Sequence, residues 1–134
     1  MSMRPIPHPD RDSQPWWDAL ARHEFVVPRC TQCGTWRWPP RAICNRCGSF
    51  DAEWAAVSGR GTVTGWIVNH HAFSADVASP YAVILVRLDE QDDCKLVGSF
   101  AGAIGELHAG LPVRAVFDDV TEGVTLLSWE PAAW

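Results

Sequence analysis

The chain has 134 residues, a formal net charge of -5, eight tryptophans and five cysteines. That length holds one ordinary domain, or a small metal module joined to a compact barrel. The acidic balance argues against a general affinity for nucleic acid, which rests on basic surface, and no apolar run approaches the ~20 residues of a membrane span.

Residues 1–12 carry Pro5, Pro7 and Pro9 with no apolar periodicity, which predicts an extended or disordered arm. The same stretch lacks the apolar core of a secretion signal, so a reducing, cytoplasmic setting is expected. Residues 13–24 read as a short helix, with Asp12 or Ser13 as cap and Pro15 in the first turn. Trp16, Trp17 and Leu20 form its apolar face. So much indole on so short a helix must pack on something, by default the rest of the chain.

Residues 25–56 have the layout of a zinc ribbon. Phe25 to Pro28 reads as a strand leading into the first of two Cys-x2-Cys pairs, Cys30 with Cys33 and Cys44 with Cys47, each followed by glycine, Gly34 and Gly48. Two tight knuckles supply four thiolates to one tetrahedral ion, and the glycines suit a turn with positive φ. Two disulfides would need an oxidising compartment, and a thioredoxin-like redox pair uses one Cys-x2-Cys at a helix start. The donor set points to structural Zn2+, with iron the other metal that accepts four sulfurs. Thr35 to Trp38 is the expected return strand, stopped by Pro39 and Pro40. Arg22, Arg29, Arg37, Arg41 and Arg46 make this module basic, whereas Asp89, Glu90, Asp92, Asp93, Asp118, Asp119 and Glu122 make the C-terminal part acidic.

Residues 57–134 change character at Gly59, Gly61 and Gly65, after which β-type runs dominate. Strands are predicted at Gly61–Asn69, Tyr81–Leu88, Cys94–Phe100, Val113–Phe117 and Val124–Trp129. Five strands, with a helical turn expected around Ile104 and Leu107 between the third and fourth, suit an OB barrel. Gly61, Gly65 and Gly98 lie where so small a barrel would bend or bulge. Cys94 is expected to be a buried thiol.

Catalytic signals are weak. His70 and His71 end the first barrel strand, but the nearby acid is Asp76 in a loop, and His8, His23 and His108 lack metal-ligand spacing. A four-thiolate site is closed to substrate and describes a binding or scaffolding module. Trp16, Trp17, Trp36, Trp38, Trp54, Trp66, Trp129 and Trp134 are many for one barrel core, and tryptophan is enriched at interface hot spots. Trp16, Trp17, Trp36 and Trp38 are expected to be the most exposed of them.

The run Pro28-Arg29-Cys30 to Gly34, then Pro39-Pro40-Arg41, Cys44 to Ser49, Glu53-Trp54, Ser58 to Val63, Pro80-Tyr81 and Pro112 to Phe117 closely resembles the acyl-CoA-associated OB-fold family with a rubredoxin-like zinc ribbon. The resemblance implies a mainly β chain: a short N-terminal helix, a rubredoxin-like zinc ribbon, then a five-stranded OB-fold barrel. It further implies a noncatalytic companion subunit of a thiolase-superfamily acyltransferase, a thiolase or a lipid-transfer-protein-like aldolase of steroid side-chain breakdown. Catalysis would then belong to the larger partner. By similarity, Trp16, Trp17, Trp36, Arg37, Trp38 and Arg41 would meet the partner or the acyl-CoA, with Arg41 suited to CoA phosphates. A free-standing acyl-CoA-binding protein and a single-stranded nucleic-acid-binding OB protein are the other readings.

Overall fold

The computed structural model describes residues 7–71 and 80–132. Trp134, Asp76 and the first half of the N-terminal arm therefore lie outside the described residues. Helix α1 runs Gln14–Ala21 with Pro15 in its first turn. Ser13, one of the two expected residues, is its N-cap, but the Ser13 side chain caps no helix N–H and pairs with Asp10 instead. The Asp10 carboxylate accepts the Ser13 N–H at 2.8 Å and the Asp10 N–H donates to the Ser13 hydroxyl at 3.1 Å. Trp16, Ala19 and Leu20 face inward. Trp16 meets Phe25 edge-on at 5.5 Å and Trp38 at 4.4 Å between ring centroids. The helix thus packs within the chain.

The ribbon's sheet pairs β1 (Val26–Cys30) with β2 (Ala52–Ala56), antiparallel, from Val26 opposite Ala56 to Cys30 opposite Ala52. This corrects the expected return strand. Thr35 to Trp38 makes a single bridge, Arg29 with Trp36, and the Arg37 N–H donates to the Pro28 carbonyl at 2.9 Å. Pro39 and Pro40 lack donors, so this ladder stops at once. Ala52–Ala56 matches β1 residue for residue.

The second unit is a closed barrel of β3 (Arg60–Asn69), β4 (Tyr81–Leu88), β5 (Lys95–Phe100), β6 (Pro112–Thr121) and β7 (Val124–Pro131), in the order β3-β4-β5-β7-β6. β5 and β7 run parallel; the other neighbours are antiparallel, and β6 closes on β3. A 3-10 turn at Ile104–Glu106 stands at the expected helical insertion. Ala82, Ile84, Val86 and Leu88 alternate inward along β4. They meet Val63, Leu96, Val113 and Trp129, and Cys94 is buried beside them. β3 shifts register between Val63 and Gly65. At Gly98 a Cβ would sit 2.7 Å from Cδ1 of Trp129.

The tight turn between β4 and β5 joins the two units. Gln91 binds the backbone of Trp36 and Arg46 reaches Asp93 at 3.5 Å, while Glu90 in the same turn accepts the Ser58 N–H at 2.7 Å where the chain enters the barrel. The basic module and the acidic domain therefore meet where their charges oppose. A second tie is His23, in left-handed backbone at φ 58, whose Nε2 lies 2.9 Å from Asp119 on β6.

Candidate functional site

The two knuckles are built alike. In the first, the Gly34 N–H donates to the Cys30 carbonyl at 2.9 Å and the Cys30 N–H to the Thr35 carbonyl at 2.8 Å. In the second, Gly48 donates to Cys44 at 3.0 Å and Cys44 to Ser49 at 2.8 Å. Gly34 and Gly48 have φ of 78 and 77, a turn an L side chain would strain. Each knuckle points its two sulfurs across the ribbon at the other pair.

All four Sγ atoms lie within 4.8 Å of one another, with Cys30 to Cys47 and Cys33 to Cys44 at 3.6 Å. A zinc ion with sulfurs at ~2.3 Å in a tetrahedron separates them by roughly 3.8 Å, whereas a disulfide brings sulfurs to ~2.0 Å. The donor set fits a four-sulfur metal ion, and all five cysteines are free thiols. Cys30 and Cys44 are buried and Cys33 and Cys47 exposed, so the ion would sit near the surface but be closed by protein ligands.

The electrostatics agree. N–H groups of Cys47 and Arg46 draw Cys44 down to about 6, and the Cys33 N–H leads the lowering of Cys30. At Cys47 the Ser49 N–H pulls downward, but the neighbouring sulfurs of Cys30, Cys33 and Cys44 and desolvation push it up to about 12. Four sulfurs this close cannot all shed protons without a cation to balance them. Cys30, Cys33, Cys44 and Cys47 would hold structural zinc, which supplies folding energy in a module whose own core is small.

The other candidate residues divide. Trp16 is 6% exposed and Trp36 9%, so they are core residues rather than exposed ones. Trp16 is covered by Phe25 and Trp38, and Trp36 carries the Arg29 guanidinium over its ring at 5.0 Å. Arg37 is 2% exposed, and its terminal nitrogen donates to the Arg41 carbonyl at 2.7 Å. Burial in the fold keeps these three side chains from serving as open contact surface. Trp17 and Trp38 remain half-buried and line one groove with Asp10, Asp12 and Pro39. Arg41 is exposed and lines a neighbouring cleft with Arg11 and Trp54.

The barrel also carries an apolar face that no sequence motif announces. Ile67 is 66% exposed, Val97 69% and Trp66 41%, and they surround half-buried Val83 and Leu85. The uninterrupted apolar run from Tyr81 to Val86 holds the signal, since it leaves both faces of β4 apolar. His70 and His71 are exposed just beyond β3, where the His71 N–H donates to Asn69 at 2.9 Å.

Among the described residues, no helix is long and apolar enough to cross a membrane. Two family models match the chain: the ChsH2 rubredoxin-like zinc ribbon domain over residues 17–53 and the ChsH2 C-terminal OB-fold domain over 54–118. A probable enoyl-CoA hydratase alpha subunit of Thermomonospora curvata is 35% identical over 132 residues, covering 98% of this chain and 41% of that protein. The 3-oxo-4,17-pregnadiene-20-carboxyl-CoA hydratase alpha subunit of Mycobacterium tuberculosis is 31% identical, covering 93% and 39%. The chain thus spans about two-fifths of the length of these curated relatives. Among solved structures, a chain of an Ltp2-ChsH2(DUF35) aldolase superposes with a TM-score of 0.86 at 34% identity, covering 95% of this chain and 99% of that one. With ribbon and barrel both matched in sequence and in fold, the chain belongs to the ChsH2 (DUF35) family of rubredoxin-like zinc ribbons joined to OB-fold domains.

Proposed function

We propose that the chain is a noncatalytic accessory subunit of a thiolase-like acyl-CoA enzyme, cytoplasmic, and docked on a lipid-transfer-protein-like partner that carries out acyl transfer or retro-aldol cleavage. The observation that carries this reading is the near full-length likeness to one component of the Ltp2-ChsH2(DUF35) aldolase. A relative named for a pregnadiene carboxyl-CoA supports a steroid acyl-CoA as the substrate of the complex.

The chain's own chemistry suits such a role. A four-sulfur centre leaves no coordination position open for substrate, so its contribution is shape. The ribbon is tied to the barrel through Gln91 and Asp93, and the connector after α1 through His23 and Asp119, which joins helix, ribbon and barrel into one docking body. Trp17 and Trp38 offer the partner indole surface at low entropic cost. Trp16, Trp36 and Arg37 act beneath that surface, holding it in shape.

The Arg11, Arg41 and Trp54 cleft favours direct contact of this subunit with acyl-CoA, the arginines with phosphate and the indole with the flat base. The same cleft is what a free-standing acyl-CoA-binding protein would use. Purified chain and candidate partner, mixed and passed through size exclusion with light scattering, test the subunit reading. A stable complex whose acyl-CoA turnover exceeds that of the partner alone is expected. Separate elution at micromolar concentration with full partner activity overturns it, and calorimetric binding of acyl-CoA to the chain alone would then favour the free-standing binder.

A further inference from the structure

Among the described residues, Arg37 is the one charged side chain that the fold encloses, at 2% exposed. A guanidinium in such a place is costly unless its donors and its charge are answered. The fold answers it in part. Nη1 donates to the Arg41 carbonyl at 2.7 Å, whereas Nε and Nη2 are buried and meet no acceptor among the described residues. An apolar side chain of similar volume would fill the space at lower cost. What arginine adds is reach to one backbone oxygen.

That oxygen belongs to the cleft lined by Arg11, Pro28, Arg41 and Trp54. Arg37 is bonded to two of its walls, through its backbone N–H to the Pro28 carbonyl at 2.9 Å and through Nη1 to Arg41. Pro28 stands opposite Trp54 in the β1–β2 ladder, so one wall carries the indole and the other the exposed Arg41 guanidinium. A single residue thus ties the two walls together. Pro39 and Pro40, which lie between Arg37 and Arg41, have no N–H with which to brace the turn themselves. Arg41 does not brace it either, because its Nη2 stands 3.4 Å from the Trp38 carbonyl, longer than an ordinary N–H···O bond. Arg11 and Arg41 outnumber Asp12 among the ionisable side chains that line the cleft. Groups that grip a ligand are precise only when the residues behind them are locked.

We propose that Arg37 is a positioning residue for Arg41. By tying the Arg41 carbonyl to the strand that carries Pro28, it sets how far the Arg41 guanidinium stands from Trp54, and so the grip of the cleft on a phosphate whose flat base lies on the indole. Arg37 touches no ligand, and its effect passes through Arg41. This inference rests on the reading of the cleft as a contact for acyl-CoA.

Zinc-loaded full chain titrated with coenzyme A, followed by two-dimensional NMR of backbone amides and indole N–H groups, tests the proposal. Saturable shifts at Arg41, Ala42 and Trp54 are expected in the wild type. Arg37→Gln should weaken binding at least about fivefold, and Arg37→Lys by less, because lysine keeps the charge and one donor for the Arg41 carbonyl. In an Arg41→Ala background the Arg37→Gln change should alter affinity by less than about twofold, since the group it positions is gone. Full affinity in Arg37→Gln beside a loss in Arg41→Ala overturns the positioning role alone, and so does an equal loss from Arg37→Gln in both backgrounds, which would mark a merely structural role. No saturable shift in the wild type, or wild-type affinity in Arg41→Ala, overturns the acyl-CoA reading of the cleft and this inference with it. Zinc content and the Trp36 amide resonance show whether each variant is folded. Should Arg37→Gln fail to fold, Arg37→Lys compared in the same two backgrounds decides the outcome.

Discussion

The carboxamide of Gln91 binds both backbone groups of Trp36: its oxygen accepts the Trp36 N–H and its nitrogen donates to the Trp36 carbonyl, each at 2.9 Å. A barrel turn thereby does for the ribbon what a neighbouring strand would, at the point where Pro39 and Pro40 end the ribbon's own ladder. The nitrogen also donates to Asp93 at 2.6 Å, so the turn that makes the clamp is held by the same amide.

Gln91→Leu should strand both Trp36 groups in a half-buried site and cost about 1–3 kcal/mol in urea unfolding of the zinc-loaded chain. Hydrogen exchange at the Trp36 amide should accelerate more than exchange in β4. Unchanged protection of that amide would show that the clamp is incidental.

Gly98 and Gly65 are both strand glycines, and the structure separates their roles. A Cβ at Gly98 would stand 2.7 Å from Cδ1 and 2.8 Å from Nε1 of Trp129, whose side chain is fully buried. Gly98→Ala should therefore cost about 1–3 kcal/mol. At Gly65 nothing lies within 4 Å, so Gly65→Ala should change stability by less than about 0.5 kcal/mol. Equal effects in thermal unfolding would mean that Trp129 yields easily.

The legible parts were those that local pattern controls. Tyr81–Leu88 declares itself by its apolar run, and the cysteine spacing with Gly34 and Gly48 specifies both knuckles. What escaped is set by tertiary contact. Ala52–Ala56 has little strand propensity beyond Trp54 and becomes β2 because β1 needs a partner. Gln91 looks like any turn residue until Trp36 arrives beside it. Trp16, Trp36 and Arg37 look like surface chemistry in a basic, aromatic stretch, yet the folded chain encloses them.

Cys44→Ser removes one of the two buried sulfurs and should abolish stoichiometric zinc in metal analysis. A structural zinc contributes on the order of 10 kcal/mol to such a module, so chelation of the wild-type chain should unfold the ribbon. Exchange at Trp36 and Arg37 amides should rise on chelator addition. Retention of ribbon protection without metal would show that Gln91 and α1 suffice to hold it.

The Thr125 hydroxyl, and after it His23, hold the Asp119 carboxyl below its ordinary 3.8. A carboxyl depressed in the fold contributes stability in full above 3.8 and loses it as pH falls through its folded value. The stability gap between wild type and Asp119→Asn should thus be full above pH 3.8 and close progressively as pH falls below it. Urea midpoints measured across that range check it, and a gap that widens on acidification would refute the assignment.

The half-buried and buried tryptophans should fail in different ways, which separates docking from folding. Trp36→Ala opens a cavity under Arg29 and should cost about 3–5 kcal/mol of stability. Trp17→Ala removes an indole whose one edge meets Trp16 at 6.4 Å while the rest lines the groove beside Pro39, so its stability loss should be smaller. Its larger effect should fall on association with the lipid-transfer-protein-like partner, weakened at least about tenfold as at an interface hot spot. Arg41→Ala should spare stability and weaken acyl-CoA binding by the complex. Interferometry with folded, zinc-loaded variants reads the association directly. A Trp17→Ala chain that binds the partner as wild type does would move the docking surface away from the helix, and the exposed face of Ile67 and Val97 would be the next place to substitute.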